Sequence, residues 1–135
     1  MGNYACYGCP IGCGRLIKNF KKGIDEVDGP EYETAAALGP LCWNFDLDSI
    51  VQANHLCNSH GIDTISAGVC IACAMYLQEK DILTEKKAGM KFQWGDGKAV
   101  VKLVEMIIKR QGIGELLGEG PASFWLMPAA LTIVV

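Results

Sequence analysis

The strongest constraint on this chain is Cys6-Tyr7-Gly8-Cys9-Pro10-Ile11-Gly12-Cys13, three thiols spaced C-x2-C-x3-C within eight residues. Close spacing lets successive sulfurs turn towards one inorganic body, which suits an iron–sulfur cubane. Gly8, Gly12 and Gly14 give the backbone room to wrap closely around it. Pro10, directly after the second cysteine, fixes φ and stiffens the turn. A structural zinc site competes, but zinc fingers pair C-x2-C with a second such pair, often completed by His. Bland or oxidised cysteines are the third reading. The motif supplies three ligands, whereas a [4Fe–4S] cubane ordinarily takes four.

At 135 residues the chain has the size of one domain, with enough apolar content to bury a core. A net charge of −3 and a pI near 5.3 give no support for nucleic-acid binding, which wants a basic face. Seven cysteines accompany a start, Met1-Gly2-Asn3-Tyr4, that lacks the basic and apolar regions of an export signal. Cys6 also breaks the myristoylation pattern. Crowded cysteines of this kind read as cytoplasmic metal ligands rather than disulfides. No membrane span is expected: Pro121 to Val135 is uncharged and apolar, but it is 15 residues long and contains Pro128. A spanning helix needs roughly 20 residues. The abrupt change of composition there reads as a truncated or frame-shifted end to a domain covering residues 1–120.

The pattern along the chain predicts a mainly α fold, a small β-hairpin followed by a helical domain. Arg15–Phe20 partly alternates, Lys21-Lys22-Gly23 supplies a turn and Ile24–Val27 a return strand. A first helix runs from Glu31 to Leu38, between Gly29-Pro30 and Gly39-Pro40. Asp46 or Asp48 caps a second, with Leu47, Ile50, Val51 and Asn54 on one face and Gly61 beyond its end. Asp63 or Thr64 caps a third, from about Ile65 to Glu79, apolar nearly all round. Such a helix is buried in a larger body, or against a partner or a second copy in a homodimer. A fourth opens at Asp96–Gly97 with the stripe Val100, Leu103, Val104, Ile107 and Ile108, and with Glu105 and Lys109 as an i,i+4 pair. Gly112 closes it, and Ile113–Leu117 makes one more turn.

The run Ala5 to Cys13 resembles the cluster-binding segment of tungsten-containing aldehyde:ferredoxin oxidoreductases. Three later stretches agree with that family: Gly29-Pro30-Glu31-Tyr32-Glu33-Thr34, Leu56 to Ser66, and Gly95 to Gly120. The likeness covers residues 1 to about 120. It implies that Cys6, Cys9 and Cys13 are ligands of a [4Fe–4S] cluster, with the fourth ligand far downstream in a segment this chain does not contain. It implies that Glu31 is a carboxylate facing a tungsten bis-pterin centre. Asn58-Ser59-His60-Gly61-Ile62-Asp63 matches a D-x-x-G-L-D motif whose aspartates hydrogen-bond the pterin amino groups. Asn58 departs from Asp at the first position, keeping an acceptor but losing the charge. Gln52-Ala53-Asn54-His55 sits where some members carry E-x-x-H at a dimer-bridging iron; Gln is a poor iron ligand, so that site is not carried over.

The resemblance also implies an activity, oxidation of a small aldehyde to a carboxylic acid, and a partner, ferredoxin, that receives the electrons from the cluster. The family's amino-terminal sheet domain, which cradles much of the pterin, has no counterpart here, so the isolated chain is expected to be inactive. A non-catalytic iron–sulfur module working with separately encoded partners is the alternative. A related enzyme of the superfamily reduces aromatic thioesters, and the residues that would choose the substrate lie outside this chain. Without the family, Glu31 is an acid at a helix start and Asp63 an N-cap. Cys70-x2-Cys73 has redox spacing but lies in an apolar helix, where buried structural thiols are the simpler reading. His55 and His60 read as surface residues, Trp43 and Trp94 as packing residues.

Overall fold

The computed structural model describes residues 2–21 and 24–122. The expected turn at Lys22–Gly23 and most of the apolar tail, residues 123–135, lie outside the described residues. The expected hairpin forms, as β2 (Gly14–Lys21) against β3 (Ile24–Asp28), antiparallel with Leu16 opposite Asp28 and Ile17 opposite Val27. Asn19, at φ +54°, lies where the register shifts between Lys18 and Lys21, as at a bulge. A third strand not foreseen from the sequence, β1 (Gly2–Tyr4), pairs with the start of β2, so that Tyr4 faces Gly14. The sheet order is β1-β2-β3.

The helices follow in sequence: α1 (Tyr32–Leu38), α2 (Leu47–Ser59), α3 (Thr64–Glu79), α4 (Glu85–Ala88), α5 (Gly97–Lys109) and α6 (Ile113–Leu117). A 3-10 turn, Pro40–Cys42, follows α1. Aspartates cap three helices as the sequence indicates: Asp46 accepts from the Asp48 amide, Asp63 from Ser66 and Asp96 from Ala99. Each relieves an amide that has no partner inside its helix. The short α4 was not anticipated; Thr84 caps it and Gly89, at φ +78°, ends it.

The core is built where α3 and α5 meet α1 and α2. Leu38, Ile71, Met75, Val100, Leu103 and Val104 are fully buried there. The α5 stripe is as read from its period, with Val100, Leu103, Val104 and Ile107 buried. On α2, Ile50, Val51 and Asn54 are buried but Leu47, the first helical residue, is exposed. The expected Glu105–Lys109 pair is replaced by Lys102–Glu105 at 3.3 Å, one turn earlier on the wet side.

Close packing of α3 on α1 depends on Gly68. A Cβ at that position would lie 2.7 Å from the carbonyl carbon, oxygen and Cβ of Ala37. The Cys42 thiol crosses the same junction, donating to the carbonyls of Ala37 (3.4 Å) and Gly68 (3.7 Å). Asn44, fully buried, ties the α1–α2 connection together. Its amide donates to Leu38 O (3.2 Å) and Ser49 Oγ (2.9 Å), and its Oδ1 accepts from the Asp46 amide (3.1 Å). The third helix keeps an apolar side in the open: Ile65, Val69 and Tyr76 are exposed. Among the described residues no helix is long and apolar enough to cross a membrane.

Candidate cluster and cofactor site

The cysteine loop spans the gap between β1 and β2, so the Tyr4–Gly14 pair forms its base. Gly8 and Gly12 have φ of +72° and +58°, backbone that residues with a Cβ adopt only at a cost. The Cys9 amide donates to Cys6 O at 3.0 Å, folding the first half into a turn. Cys6 and Cys13 are exposed and Cys9 half-buried, and all seven cysteines of the chain are free thiols. The amides of Gly12 and then Ile11 hydrogen-bond the Cys9 sulfur and hold its pKa below the ordinary thiol value, against a small opposing effect of burial. Amides that stabilise a thiolate also stabilise metal-bound sulfur.

These features fit an iron–sulfur cluster in donor type, exposure and backbone freedom. Among the described residues, however, no group of three or more His, Cys, Asp or Glu side chains stands close enough together to hold a metal ion. The three sulfurs stand apart on their loop, and holding a cluster requires the loop to draw them together.

Glu31 reaches this region through a backbone contact. The Gly29 amide donates to Arg15 O at 2.7 Å, and a Cβ on Gly29 would lie 2.9 Å from Arg15 Cβ. The bare glycine therefore lets the segment before α1 lie directly on β2, one residue beyond Gly14. Glu31 follows at the N-cap of α1, exposed, with its carbonyl accepting from Ala35 (2.8 Å) and its carboxylate making no capping bond. Tyr4 joins the two parts of the site. Its phenol pKa is raised, first by the charge of Asp28, then by burial, Glu31, Cys6 and Cys13.

The N-termini of α1 and α3 are joined by the hydroxyls of Thr34 and Thr64, 2.7 Å apart. Asp63, the residue before Thr64, accepts from the Ser66 amide at 2.8 Å. The Ser66 side chain, then its amide, hold the Asp63 carboxyl below its usual pKa, burial opposing and the Ile65 amide assisting. Asp63 is therefore an ionised acceptor. It lines a cleft of about 480 Å³ with His60, Ser66, Cys70, Arg110 and Leu117. Arg110, at the end of α5 and paired with Glu119, is a cation that sequence reasoning missed. Only the tertiary packing of α5 and α6 brings it to the cleft that Asp63 lines.

Asn58 lies elsewhere. It lines a second, polar cleft of about 300 Å³ with Glu26, Asp28 and His55. Its amide donates to Asn54 Oδ1 (3.3 Å), and Asn54 in turn donates to Asp28 O (2.9 Å), fastening α2 to the sheet. Cys6, Cys13 and Glu31 thus lie within electrostatic reach of Tyr4, whereas Asn58 and Asp63 line different clefts. Cys70 is buried and Cys73 half-buried, and burial raises both thiol pKa values, that of Cys70 to about 11. Neither has the lowered pKa of a reactive thiol. His60 Nδ1 lies 2.9 Å from Leu56 O, and Trp43 stacks on Trp94 with ring centroids 6.0 Å apart.

The order of a cysteine loop, a carboxylate at a helix start and a capped aspartate is shared with proteins already known. A family profile described as "Aldehyde ferredoxin oxidoreductase, domains 2 & 3" matches residues 1–125. The chain is 44% identical over 120 residues to a tungsten-containing aldehyde ferredoxin oxidoreductase of Pyrococcus furiosus, with 87% of this chain covered and 20% of the relative. A protein of the same description from Thermococcus kodakarensis is 44% identical over 124 residues, covering 90% of this chain and 20% of the relative. An aliphatic sulfonate oxidoreductase subunit of P. furiosus is 35% identical over 121 residues. Among solved structures, the active-site complex BamBC of benzoyl coenzyme A reductase superposes with a TM-score of 0.76 at 25% identity, covering 97% of this chain and 19% of that one. The chain belongs to the aldehyde ferredoxin oxidoreductase family. It spans about a fifth of the length of the curated relatives it matches.

Proposed function

We propose that this chain is the cluster-bearing helical portion of a cytoplasmic oxidoreductase that oxidises small aldehydes to carboxylic acids and passes the electrons to ferredoxin. The observation that carries the reading is the C-x2-C-x3-C loop, based on the Tyr4–Gly14 pair and turned by two glycines at positive φ. Cys6, Cys9 and Cys13 would hold the [4Fe–4S] cluster; Asp63 and, from a separate cleft, Asn58 would each accept from an amino group of a tungsten bis-pterin. When bound, the two groups supply a two-electron centre and a one-electron outlet. Glu31 then takes the proton of the attacking water, whose oxygen ends in the acid; the uncommitted carboxylate at the helix start is free to accept it. Asp63, ionised and anchored by Ser66, orients a donor-rich ring without needing to rotate. Since the chain spans a fifth of its relatives, a second reading is an iron–sulfur module that acts with separately encoded partners. In either case the domain covers residues 1–120, and the isolated chain does not turn over aldehydes.

Anaerobic purification followed by iron, sulfide, tungsten and zinc analysis tests this. Iron–thiolate charge-transfer bands with matching iron and sulfide support it. Zinc, or no metal, with no such bands refutes it. Turnover of aldehydes by the reconstituted chain alone would refute its proposed inactivity in isolation.

A further inference from the structure

Between α1 and α2 the usual sides of a chain are exchanged. Cys42 and Asn44 are fully buried, whereas the large apolar residues beside them face out: Leu41 is 45% exposed, Trp43 65%, Phe45 81% and Leu47 60%. The loop is stiff. The amides of Trp43 and Asn44 donate to Pro40 O and Gly39 O, and Cys42 O accepts from the Gly95 amide, each at 3.0 Å. Trp43 is held at φ +55°, a left-handed backbone that is an outlier for a bulky residue and persists only where its surroundings dictate it. Its ring stacks on Trp94, whose Nε1 donates to Glu79 at the end of α3, one turn beyond the exposed Tyr76. The apolar surface therefore runs from the loop towards the end of α3.

Single apolar residues on a surface need no explanation, but a group of them on one fixed loop marks an interface. Aromatic side chains fixed before contact bring a large area at little ordering cost. We infer that this loop is the docking face for the portion of an aldehyde ferredoxin oxidoreductase that lies outside this chain. Trp43, Phe45 and Leu47 insert among apolar side chains of that portion. The relatives carry this segment as about a fifth of one polypeptide, and the profile that matches it is described as domains 2 & 3. In them the segment folds within a larger body that must adjoin it. The inference needs neither the cluster nor the pterin, only membership of the family.

The test puts the matched part of this chain into the intact P. furiosus aldehyde ferredoxin oxidoreductase, in place of the segment it matches, and compares that chimera with the free 135-residue chain. Hydroxyl-radical footprinting should label Trp43 and Phe45 heavily in the free chain and lose that labelling in the chimera. Phe45→Ser should leave the thermal midpoint of the free chain unchanged, as at an exposed site, and lower that of the chimera by several degrees. Labelling that persists in a folded chimera overturns the inference, as does a chimera midpoint that Phe45→Ser does not move. A chimera that stays insoluble where the intact relative is soluble overturns the choice of occupant. So does a free chain that sediments as a dimer and is returned to monomer by Phe45→Ser, which makes a second copy the occupant.

Discussion

Gly68→Ala sets two effects of opposite sign against each other. In a helix interior, Ala is favoured over Gly by about 1 kcal/mol. The new Cβ, however, would lie 2.7 Å from three atoms of Ala37, where carbon atoms ordinarily rest about 3.5–4.0 Å apart. Two of those atoms are backbone, so no rotamer change relieves the contact and α1 must move off α3. Overpacking of this sort costs about 1–3 kcal/mol, and the displacement also loosens the bonds from Cys42 that span the junction. The net expectation is a loss of up to about 2 kcal/mol, or a fall in the urea midpoint of roughly 0.5–1 M. Far-UV circular dichroism in urea measures it. Adding Ala37→Gly should restore the loss only in part, because the backbone contacts remain. A midpoint that rises in Gly68→Ala would mean that propensity decides, and would refute the close approach of the two helices.

Asn44→Leu should lower stability by about 2–3 kcal/mol, because it removes the partner of Leu38 O and of the Asp46 amide, while Ser49 Oγ keeps its bond to Asp46 O; thermal unfolding of the chain checks this. Burial pushes the thiols of Cys42 and Cys57 up to about 12 and 11. Below the unfolded thiol value of 9.0 both are neutral in either state and their contribution is fully present. Above it only the unfolded chain ionises, so stability falls as pH rises towards the folded values; a urea midpoint equal at about pH 8 and about pH 10 would contradict this. Asp63 works the other way. Its lowered pKa gives stability above the unfolded carboxyl value that is lost as pH falls through the folded one. Asp63→Asn should keep the cap yet lose that acid dependence, and Asp63→Ala should cost about 1 kcal/mol at neutral pH by calorimetry.

Local signals were the most legible. A cysteine loop with two glycines at positive φ, three capping aspartates and the 3.6-residue stripe of α5 are each written within a few neighbouring residues. What escaped depends on distant partners. β1 is three residues long, too short to show alternation, and exists because it pairs across the whole cysteine loop. The four residues of α4 are below the length at which helical periodicity can be read. Leu47 fits the apolar face of α2 by spacing yet stands exposed as the first residue of the helix, while Ser49 and Ile50 of the same turn are buried. The candidate site shows the same division. Its residues were named from motifs, but the segment leading to Glu31 is laid against β2 only through Gly29 on Arg15. The separation of Asn58 from Asp63 likewise arises only when α2 docks on the sheet.

Glu31 opens α1 without capping it. Serine or aspartate there would secure the helix better by about 1 kcal/mol, and the chain forgoes that gain. The first turn of α1 is accordingly held by Thr34 reaching across to Thr64 rather than from within. A sequence optimised only for thermal endurance would replace this acid; under the role proposed for Glu31, endurance and chemistry compete at this one position.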